Sequence, residues 1–201
     1  KPSNLATTPS ALIINWLSPQ TQYFLKTHQP LRSLDKAVKF KNQYPRELID
    51  ATCGLGQDSL YMAYRGIEVT AYEHNPIVYL LVKDAQRRAW QHERIGPIAQ
   101  RISLHCQNSM DLIPHSPSMQ MIYLDPMFPH SNKSALAKKN LQYLQHLIQS
   151  PQQDSELLNH ALSLTTGRVI LKRPLRTEII APHQLHHQIK AKTIRFDIYN
   201  C

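Results

Sequence analysis

The amino-acid sequence predicts an α/β fold, in which helices cover both faces of a mostly parallel β-sheet. From residue 46 onward, short apolar runs typical of buried strands alternate with helical patterns. A turn containing two glycines, Gly54 and Gly56, connects the first of these strands to the helix that follows. Every loop with chemically suggestive side chains follows a strand, which is where parallel sheets bind ligands. We expect the sheet to close with an antiparallel C-terminal strand.

The individual elements follow from local patterns. Pro76 stands in the first turn of the longest helix, where its fixed φ angle suits a helix start. Earlier in the chain, Leu34, Ala37 and Val38 share one face of a short helix. The predicted helices cover residues 31–40, 58–64, 76–90, 135–148 and 155–164. The predicted strands cover residues 47–50, 67–72, 102–106, 119–124 and 169–171, followed by a closing pair at 184–189 and 193–199.

The chain divides into two parts of unequal regularity. Residues 1–45 show no clean period, because four prolines interrupt any long element: Pro2, Pro9, Pro19 and Pro30. We expect these residues to form a short N-terminal lobe, truncated at its start because position 1 is Lys and not Met. Residues 46–201 are expected to form the main domain.

Composition narrows the class of protein. The chain has 201 residues, of which 42% are hydrophobic, so it can bury a sizeable core and is expected to be globular. No apolar run reaches the ~20 residues that span a bilayer, and the N-terminus lacks the arrangement of a secretion signal. The three cysteines contain no CxxC pair, which is typical of a reduced protein. We therefore expect a cytoplasmic location.

The charge balance favours an anionic partner. Lys and Arg number 23 against 14 acidic residues, for a net charge of +9. From residue 126 to the end there are ten basic and four acidic residues. Nucleic acid is the usual partner of such a surface, whereas a basic surface that only keeps the protein soluble accounts for the charge equally well.

The glycine turn belongs to a candidate cofactor loop, Asp50–Gly56. Glycine lets the backbone turn tightly and pass close to a bound cofactor. A dinucleotide-binding loop would have a third glycine at position 59, where this chain has Ser59. The loop therefore favours a nucleoside cofactor without a pyrophosphate over NAD.

Two polar segments follow the next strands. Glu73 ends the second predicted strand, 17 residues beyond Gly56. A carboxylate at that position can accept hydrogen bonds from both ribose hydroxyls of a nucleoside. Asn108 and Ser109 follow the third strand and are candidates for contacts with an adenine edge. A surface role would explain any one of these residues alone, but their shared register favours a binding role.

The fourth segment carries the chemistry. Asp125-Pro126-Met127-Phe128-Pro129 follows the apolar strand and resembles the Asp/Asn-Pro-Pro-Tyr/Phe motif of methyltransferases that act on ring-conjugated amines. The lone pair of such an amine is delocalised, so acceptors at Asp125 and the Pro126 carbonyl would hold its N–H groups and localise the pair. Phe128 offers a face on which the target base can stack. We predict Asp125, Pro126 and Phe128 as the catalytic residues.

Two further groups of residues have competing explanations. Lys172 and Arg173 end the fifth strand and could contact phosphate, although a solvated strand end is nearly as good an explanation. His183, His186 and His187 lie close together in the sequence. No cysteine or acidic cluster has matching spacing, so we expect no metal site.

With these residues identified, the segment 48–199 resembles the RsmJ family of bacterial ribosomal small-subunit RNA (guanine-N2)-methyltransferases. The Met-containing variant Asp125-Pro126-Met127-Phe128-Pro129-His130 is far more specific than a general methyltransferase loop. The resemblance covers about three quarters of the chain. The other matching segments are Ile49–Thr52, Gly54–Gly56, Glu73, Asn75-Pro76, Tyr123-Leu124, Lys133–Leu136, Lys172–Pro174 and Arg195–Tyr199.

The resemblance implies a Rossmann-like class I methyltransferase fold and S-adenosylmethionine as cofactor. It implies cofactor contacts from Gln57, Asp58, Glu73, His74, Asn108, Ser109 and Asp125, in addition to Asp50, Gly54 and Gly56 of the candidate cofactor loop. The family commonly has Arg at the positions of Gln57 and His74, which predicts an altered cofactor affinity. The basic, Gly-rich segment that family members carry before the first helix reads His28–Ser33 here.

The sequence thus predicts methyl transfer from S-adenosylmethionine to the N2 amine of a guanosine in small-subunit (16S) ribosomal RNA. Ribosomal RNA or the small subunit is the expected partner, held by Lys133, Lys138, Lys139, Lys172 and Arg173. The alternatives are an amino-methyltransferase acting on another RNA, DNA or a protein side chain, and an inactive RNA-binding relative. A nicotinamide oxidoreductase ranks last, because of Ser59.

Overall fold

The computed structural model of the protein describes residues 13–27, 32–112, 121–126 and 154–201. The helix predicted at 135–148 lies outside these residues. In the described part of the chain, no helix is both long and apolar enough to cross a bilayer.

The described strands form a single seven-stranded sheet of order β3-β2-β1-β4-β5-β7-β6. The strands are β1 (Glu47–Asp50), β2 (Glu68–Glu73), β3 (Ile102–Cys106), β4 (Met121–Leu124), β5 (Arg168–Pro174), β6 (Leu185–Lys190) and β7 (Ile194–Asn200). The first five pair in parallel, while β7 pairs antiparallel with β5 and with β6. The predicted α/β fold, with an antiparallel strand at its C-terminal end, is confirmed.

Helices connect the strands. They are α1 (Pro19–Thr27), α2 (Arg32–Val38), α3 (Gln57–Tyr64), α4 (Pro76–Trp90), α5 (Gly96–Ala99) and α6 (Asp154–Leu164), with a 3₁₀ turn at Ser109–Asp111. The side chain of Asn75 caps α4 by accepting from the backbone N–H groups of Ile77 and Val78. The sequence analysis did not predict α1, α5 or the 3₁₀ turn.

Two apolar clusters sandwich the sheet. Alternate residues of β4 divide between them, since Tyr123 packs into the cluster with α3 and α4, while Ile122 and Leu124 pack into the cluster with α6. Trp16 and Leu25, from the predicted N-terminal lobe, are buried in the first cluster. The division of the chain at residue 45 stays a prediction.

The strand order fixes where a ligand can bind. The chain runs from β1 outward to β2 and β3, then crosses to β4 on the other side of β1. A crevice opens beyond the carboxyl ends of strands where the order reverses in this way. The carboxyl ends of β1 and β4 are therefore the expected centre of a site.

Candidate active site

Four acidic side chains gather near the carboxyl ends of the central strands: Asp50, Asp58, Glu73 and Asp125. Asp50 ends β1 and pairs in register with Tyr123 of β4, so Asp125 follows directly beside it. Glu73 ends β2 and pairs with Cys106, the last residue of β3. The structure thus brings the predicted cofactor loop and the predicted catalytic motif to one edge of the sheet.

The loop after β1 has the left-handed backbone that its glycines permit. Gly54 has φ +53° and Gly56 has φ +73°, values that side-chain-bearing residues rarely adopt. A Cβ atom on Gly56 would lie 2.7 Å from Cζ2 of Trp16, whereas one on Gly54 would meet only the Thr52 carbonyl oxygen at 3.9 Å. Gly56 is therefore required for packing, whereas a Cβ atom at Gly54 would meet only an ordinary van der Waals contact.

Glu73 is held by backbone N–H groups. Its Oε2 accepts from the N–H of Gly54 at 3.0 Å, and its Oε1 accepts from the N–H of Asn75 at 2.8 Å. The side chain is 3% exposed, and burial raises the pKa of Glu73 although these N–H groups oppose the shift. His74 Nδ1 lies 3.3 Å from Oε1. Each carboxylate oxygen has two lone pairs, so Glu73 retains capacity for ribose hydroxyls.

Asp50 is the most buried of the four acids. Its Oδ1 accepts from the N–H of Thr52 at 3.1 Å, and its Oδ2 accepts from the Ser59 hydroxyl. Burial raises the pKa of Asp50 to about 7 against these two hydrogen bonds. Ser59, which the sequence analysis used only as evidence against NAD, thus holds the start of the cofactor loop.

Asp125 and Asp58 share one cation. The Nζ atom of Lys172 lies 2.8 Å from Oδ2 of Asp58 and 2.8 Å from Oδ2 of Asp125. The Tyr123 hydroxyl donates to the same oxygen of Asp58 at 2.6 Å. Thr52 Oγ1 accepts from the backbone N–H of Asp125 at 2.6 Å. These contacts tie the β1 loop, α3, β4 and β5 together at the sheet edge.

The electrostatics of this cluster are strongly perturbed. Burial raises the pKa of Asp125 to about 6; the Lys172 ammonium opposes the shift and the Asp58 carboxylate adds to it. Burial alone would lower the pKa of Lys172, but Asp58 and Asp125 outweigh it and raise that pKa above its usual value. Perturbed acids in a crevice are typical of functional sites.

The remaining predicted residues occupy the rim. The Asn108 side chain accepts from the N–H of Met110 at 3.0 Å, and Ser109 is buried beside it. Gln57 and His74 are exposed, and Pro126 is buried. Phe128, Lys133, Lys138 and Lys139 lie outside the described residues. No contact in the structure tests these individual roles, which stay predictions.

The two predicted phosphate contacts on β5 both pair within the chain. Adjacent residues of a strand point to opposite faces. Lys172 accordingly faces Asp58 and Asp125, while Arg173 is buried on the other face, where it pairs with Asp154 of α6 and contacts Thr177 Oγ1 at 3.3 Å. Strand alternation was the available signal for this division, and the sequence analysis did not use it.

Histidines do not assemble a metal site in the described part of the chain. There, no three His, Cys, Asp or Glu side chains gather as metal ligands. His186 and His187 contact each other edge to face, with ring centroids 4.9 Å apart. This finding does not test whether the protein uses a metal, so the absence of a metal site stays a prediction.

Sequence comparisons place the chain among known methyltransferases. Residues 4–201 match a family model described as "Putative SAM-dependent methyltransferase". The chain is 42% identical over 168 residues to ribosomal RNA small subunit methyltransferase J of Haemophilus influenzae strain PittGG, covering 82% of this chain and 65% of that protein. It is 40% identical over 166 residues to the enzyme of the same name from Serratia proteamaculans, covering 82% and 67%. The chain thus spans about two thirds of the length of these relatives.

Solved structures agree with the sequence comparisons. A crystal structure of a SAM-dependent methyltransferase from Neisseria gonorrhoeae superimposes with a TM-score of 0.73 and 32% identity, over 97% of this chain and 76% of that one. The rRNA methyltransferase AviRa from Streptomyces viridochromogenes gives a TM-score of 0.52 at 15% identity, over 85% of this chain and 83% of its own. The second likeness concerns the fold alone.

Proposed function

Because the chain belongs to the S-adenosylmethionine-dependent methyltransferase family that includes ribosomal RNA small subunit methyltransferase J, we propose that it methylates the exocyclic N2 amine of a guanosine in small-subunit ribosomal RNA. One observation carries the proposal. Asp125 directly follows β4 and is hydrogen-bonded to Thr52 of the β1 loop, whose Gly54 is in turn hydrogen-bonded to Glu73, so the predicted catalytic and cofactor segments are joined where the strand order reverses.

The charges of the crevice suit the cofactor of this family. S-adenosylmethionine carries a sulfonium and an ammonium, and supplies an electrophilic methyl group when bound. Asp50, Asp58, Glu73 and Asp125 place four carboxylates around the crevice, and Lys172 bridges two of them. Open backbone at Gly54 leaves room beside Glu73. We assign Glu73 to the ribose hydroxyls and the Asp50–Asp58 loop to the methionine portion.

Asp125 is the proposed acceptor for the N–H groups of the target amine. Its side chain is 33% exposed, so it reaches both the protein interior and an incoming base. Its ionised form accepts hydrogen bonds, which favours localisation of the nitrogen lone pair towards the methyl group. Holding the two reactants in line can itself supply ~7–11 kcal/mol of barrier reduction.

The substrate must present its guanine outside the stack. Reaching Asp125 at the sheet edge requires an extruded or single-stranded base. The net charge of +9 suits an RNA backbone, so binding should weaken steeply as salt increases. A substrate of this kind also implies a cytoplasmic location.

Mass mapping of ribosomal RNA tests the proposal. RNA from cells that lack the protein should lose N2 methylation at one guanosine, and expression of the wild-type protein should restore it. A parallel assay compares methyl transfer to small subunits, free ribosomal RNA and DNA. Unchanged ribosomal methylation together with activity on DNA alone would replace the proposal with a DNA amino-methyltransferase. Binding of RNA without binding of S-adenosylmethionine in calorimetry would favour an inactive relative.

A further inference from the structure

Lys172 ends in the middle of the proposed active site. We infer that Lys172 is a positioning residue for methyl transfer, which holds the Asp125 carboxylate in its accepting orientation by bridging it to Asp58. The inference rests on the proposed function, since it assigns Asp125 the role of acceptor for the target amine. It replaces an RNA-backbone role for this lysine.

The geometry of the bridge supports a positioning role. The Lys172 side chain is 20% exposed, and its Nζ contacts both carboxylates at 2.8 Å. Asp58 is itself fixed by the Tyr123 hydroxyl at 2.6 Å. Asp125 is fixed at its backbone by Thr52. Among the described residues, Lys172 therefore orients the side chain of Asp125, whereas Thr52 holds its backbone.

The same geometry argues against a phosphate contact. A phosphate that reached Nζ of Lys172 would approach the carboxylates of Asp58 and Asp125 and be repelled by both. Breaking the bridge to bind phosphate would also leave two partly buried carboxylates without their cation. The site therefore favours the internal bridge over an external anion.

The bridge also controls the charge of Asp125. Among the described residues, the ionisable groups around this carboxyl are Lys172 from β5, Asp58 from α3, Asp50 from β1 and Tyr123 from β4. Lys172 is the only cation among these four described groups. Without it, the neighbouring acids and burial would raise the pKa of Asp125 further, and a protonated Asp125 would donate where it must accept.

Substitution of Lys172 separates positioning from RNA binding. Lys172→Met should lower kcat by about 10²-fold at neutral pH, in the range seen when a preorganised electrostatic group is lost. KM for RNA should change less than about threefold, and the acid limb of the kcat–pH profile should move to higher pH. Lys172→Arg, which keeps the charge, should recover most of kcat. Lys190→Met, on the exposed edge strand β6, is the matched control for loss of one positive charge.

The opposite pattern would overturn the inference. A phosphate contact predicts that Lys172→Met raises KM and reduces the salt dependence of RNA binding, with kcat and its pH profile unchanged. If Lys172→Met is poorly folded, Asp58→Asn is the second variant, because it removes the carboxylate that raises the pKa of Asp125 and leaves Lys172 in place. Its acid limb should lie at lower pH than that of the wild type, and an unchanged limb would contradict the bridge.

Failure of the proposed function can be told apart from failure of this inference. If the substrate assignment is wrong, the wild-type protein itself will methylate no ribosomal guanosine. Carbon-13 NMR of the Asp125 carboxyl needs no RNA substrate. Lys172→Met should raise the pKa measured for that carboxyl relative to wild type, and an unchanged titration would refute the bridge on its own.

Discussion

Glu73 and Asp125 are two buried or partly buried carboxylates at one edge of the same sheet, stabilised in different ways. Glu73 accepts from two backbone N–H groups, of Gly54 and Asn75. Asp125 forms an ion pair with the side chain of Lys172, which lies on the neighbouring strand β5. Burial raises the pKa of both carboxyls. At Glu73 the backbone N–H groups and His74 oppose the shift, whereas at Asp125 the opposing group is the Lys172 ammonium.

This difference separates the cofactor side of the site around Glu73, which is fixed by the backbone, from the acceptor side around Asp125, which depends on side chains. Backbone N–H groups are in place once β1, β2 and their loops form, so the cofactor side is preorganised by the fold itself. The acceptor side depends on one lysine side chain and on the ionisation of its partners. We expect substitutions on the two sides to affect binding and turnover separately.

Loss of the Asp125 carboxylate should give the largest effect. Asp125→Ala removes the side-chain acceptor for the target amine and should lower kcat by about 10²–10³-fold, the range for loss of one preorganised electrostatic group. S-adenosylhomocysteine affinity should fall much less than kcat, because Glu73 is untouched. Single-turnover methyl transfer and calorimetry measure the two quantities. Asp84→Ala, on the exposed face of α4, is the control, and wild-type turnover in Asp125→Ala would remove this residue from the mechanism.

Asp50 lies between the two sides and should dominate the pH dependence of stability. Its pKa is raised from 3.8 to about 7, so the folded protein binds a proton that the unfolded chain has lost. The stability contributed by the protonated form is fully present below pH ~4 and is lost as pH rises through about 7. Each pKa unit corresponds to about 1.4 kcal/mol, which places the effect on the order of a few kcal/mol.

Urea denaturation at a series of pH values measures this contribution. Asp50→Asn keeps an oxygen that accepts from Thr52 and presents an amide that can donate to the Ser59 hydroxyl. Because it cannot ionise, its free energy of unfolding should fall less between pH 4 and 7 than that of the wild type. Parallel curves for the two proteins would show that Asp50 does not titrate in this interval.

Substitution of Glu73 should act on the cofactor. Glu73→Gln loses a charged acceptor, and hydrogen bonds to charged groups contribute about 1.5–3 kcal/mol, so S-adenosylhomocysteine affinity should fall roughly 10- to 100-fold. Turnover at saturating cofactor should change little. Glu68→Gln, on the same strand but exposed, should leave the affinity unchanged. A loss of turnover with unchanged affinity would place Glu73 on the acceptor side.

Substitution of Gly56 should have the smallest effect, and it tests how rigid the cofactor side of the site is. Gly56→Ala combines a left-handed backbone with a Cβ atom 2.7 Å from Trp16, and should destabilise the fold by about 2–3 kcal/mol. Gly66→Ala is the matched control, because Gly66 has φ +88° and nothing within 4 Å of a Cβ atom, so only the backbone strain of about 1 kcal/mol applies. Thermal denaturation compares the two, and equal losses would mean that the Trp16 contact adapts at no cost.

Much of the scaffold could be predicted because its strands are buried and apolar. β1 and β3 have the bounds that the pattern predicts, and Asp50 and Glu73 were identified because each ends an apolar strand. β5 was predicted at 169–171 but runs to Pro174. Charged Lys172 and Arg173 resemble a strand end, and only their partners on opposite faces explain their place within the strand.

Long-range partners account for what the sequence did not reveal. Lys172 follows Asp125 by 47 residues and Asp58 by 114, and no local pattern predicts such a bridge. Helix α1 was missed because its pattern has no clean period, and its stability comes partly from Leu25 packing into a core formed by later elements. The role of Ser59 was missed for a different reason: its acceptor, Asp50, is only nine residues earlier, but the turn of the loop between them brings the two side chains together.

The contact between Trp16 and Gly56 gives the molecule an internal optical probe. The Trp16 indole is 2% exposed and donates to the carbonyl of Leu55 at 3.4 Å, whereas Trp90, the other tryptophan of the chain, is 44% exposed. The fluorescence of Trp16 is therefore sensitive to the backbone of the cofactor loop. With Trp90 replaced by Phe, emission from a single indole would follow any change in that loop in real time, without a label and without turnover.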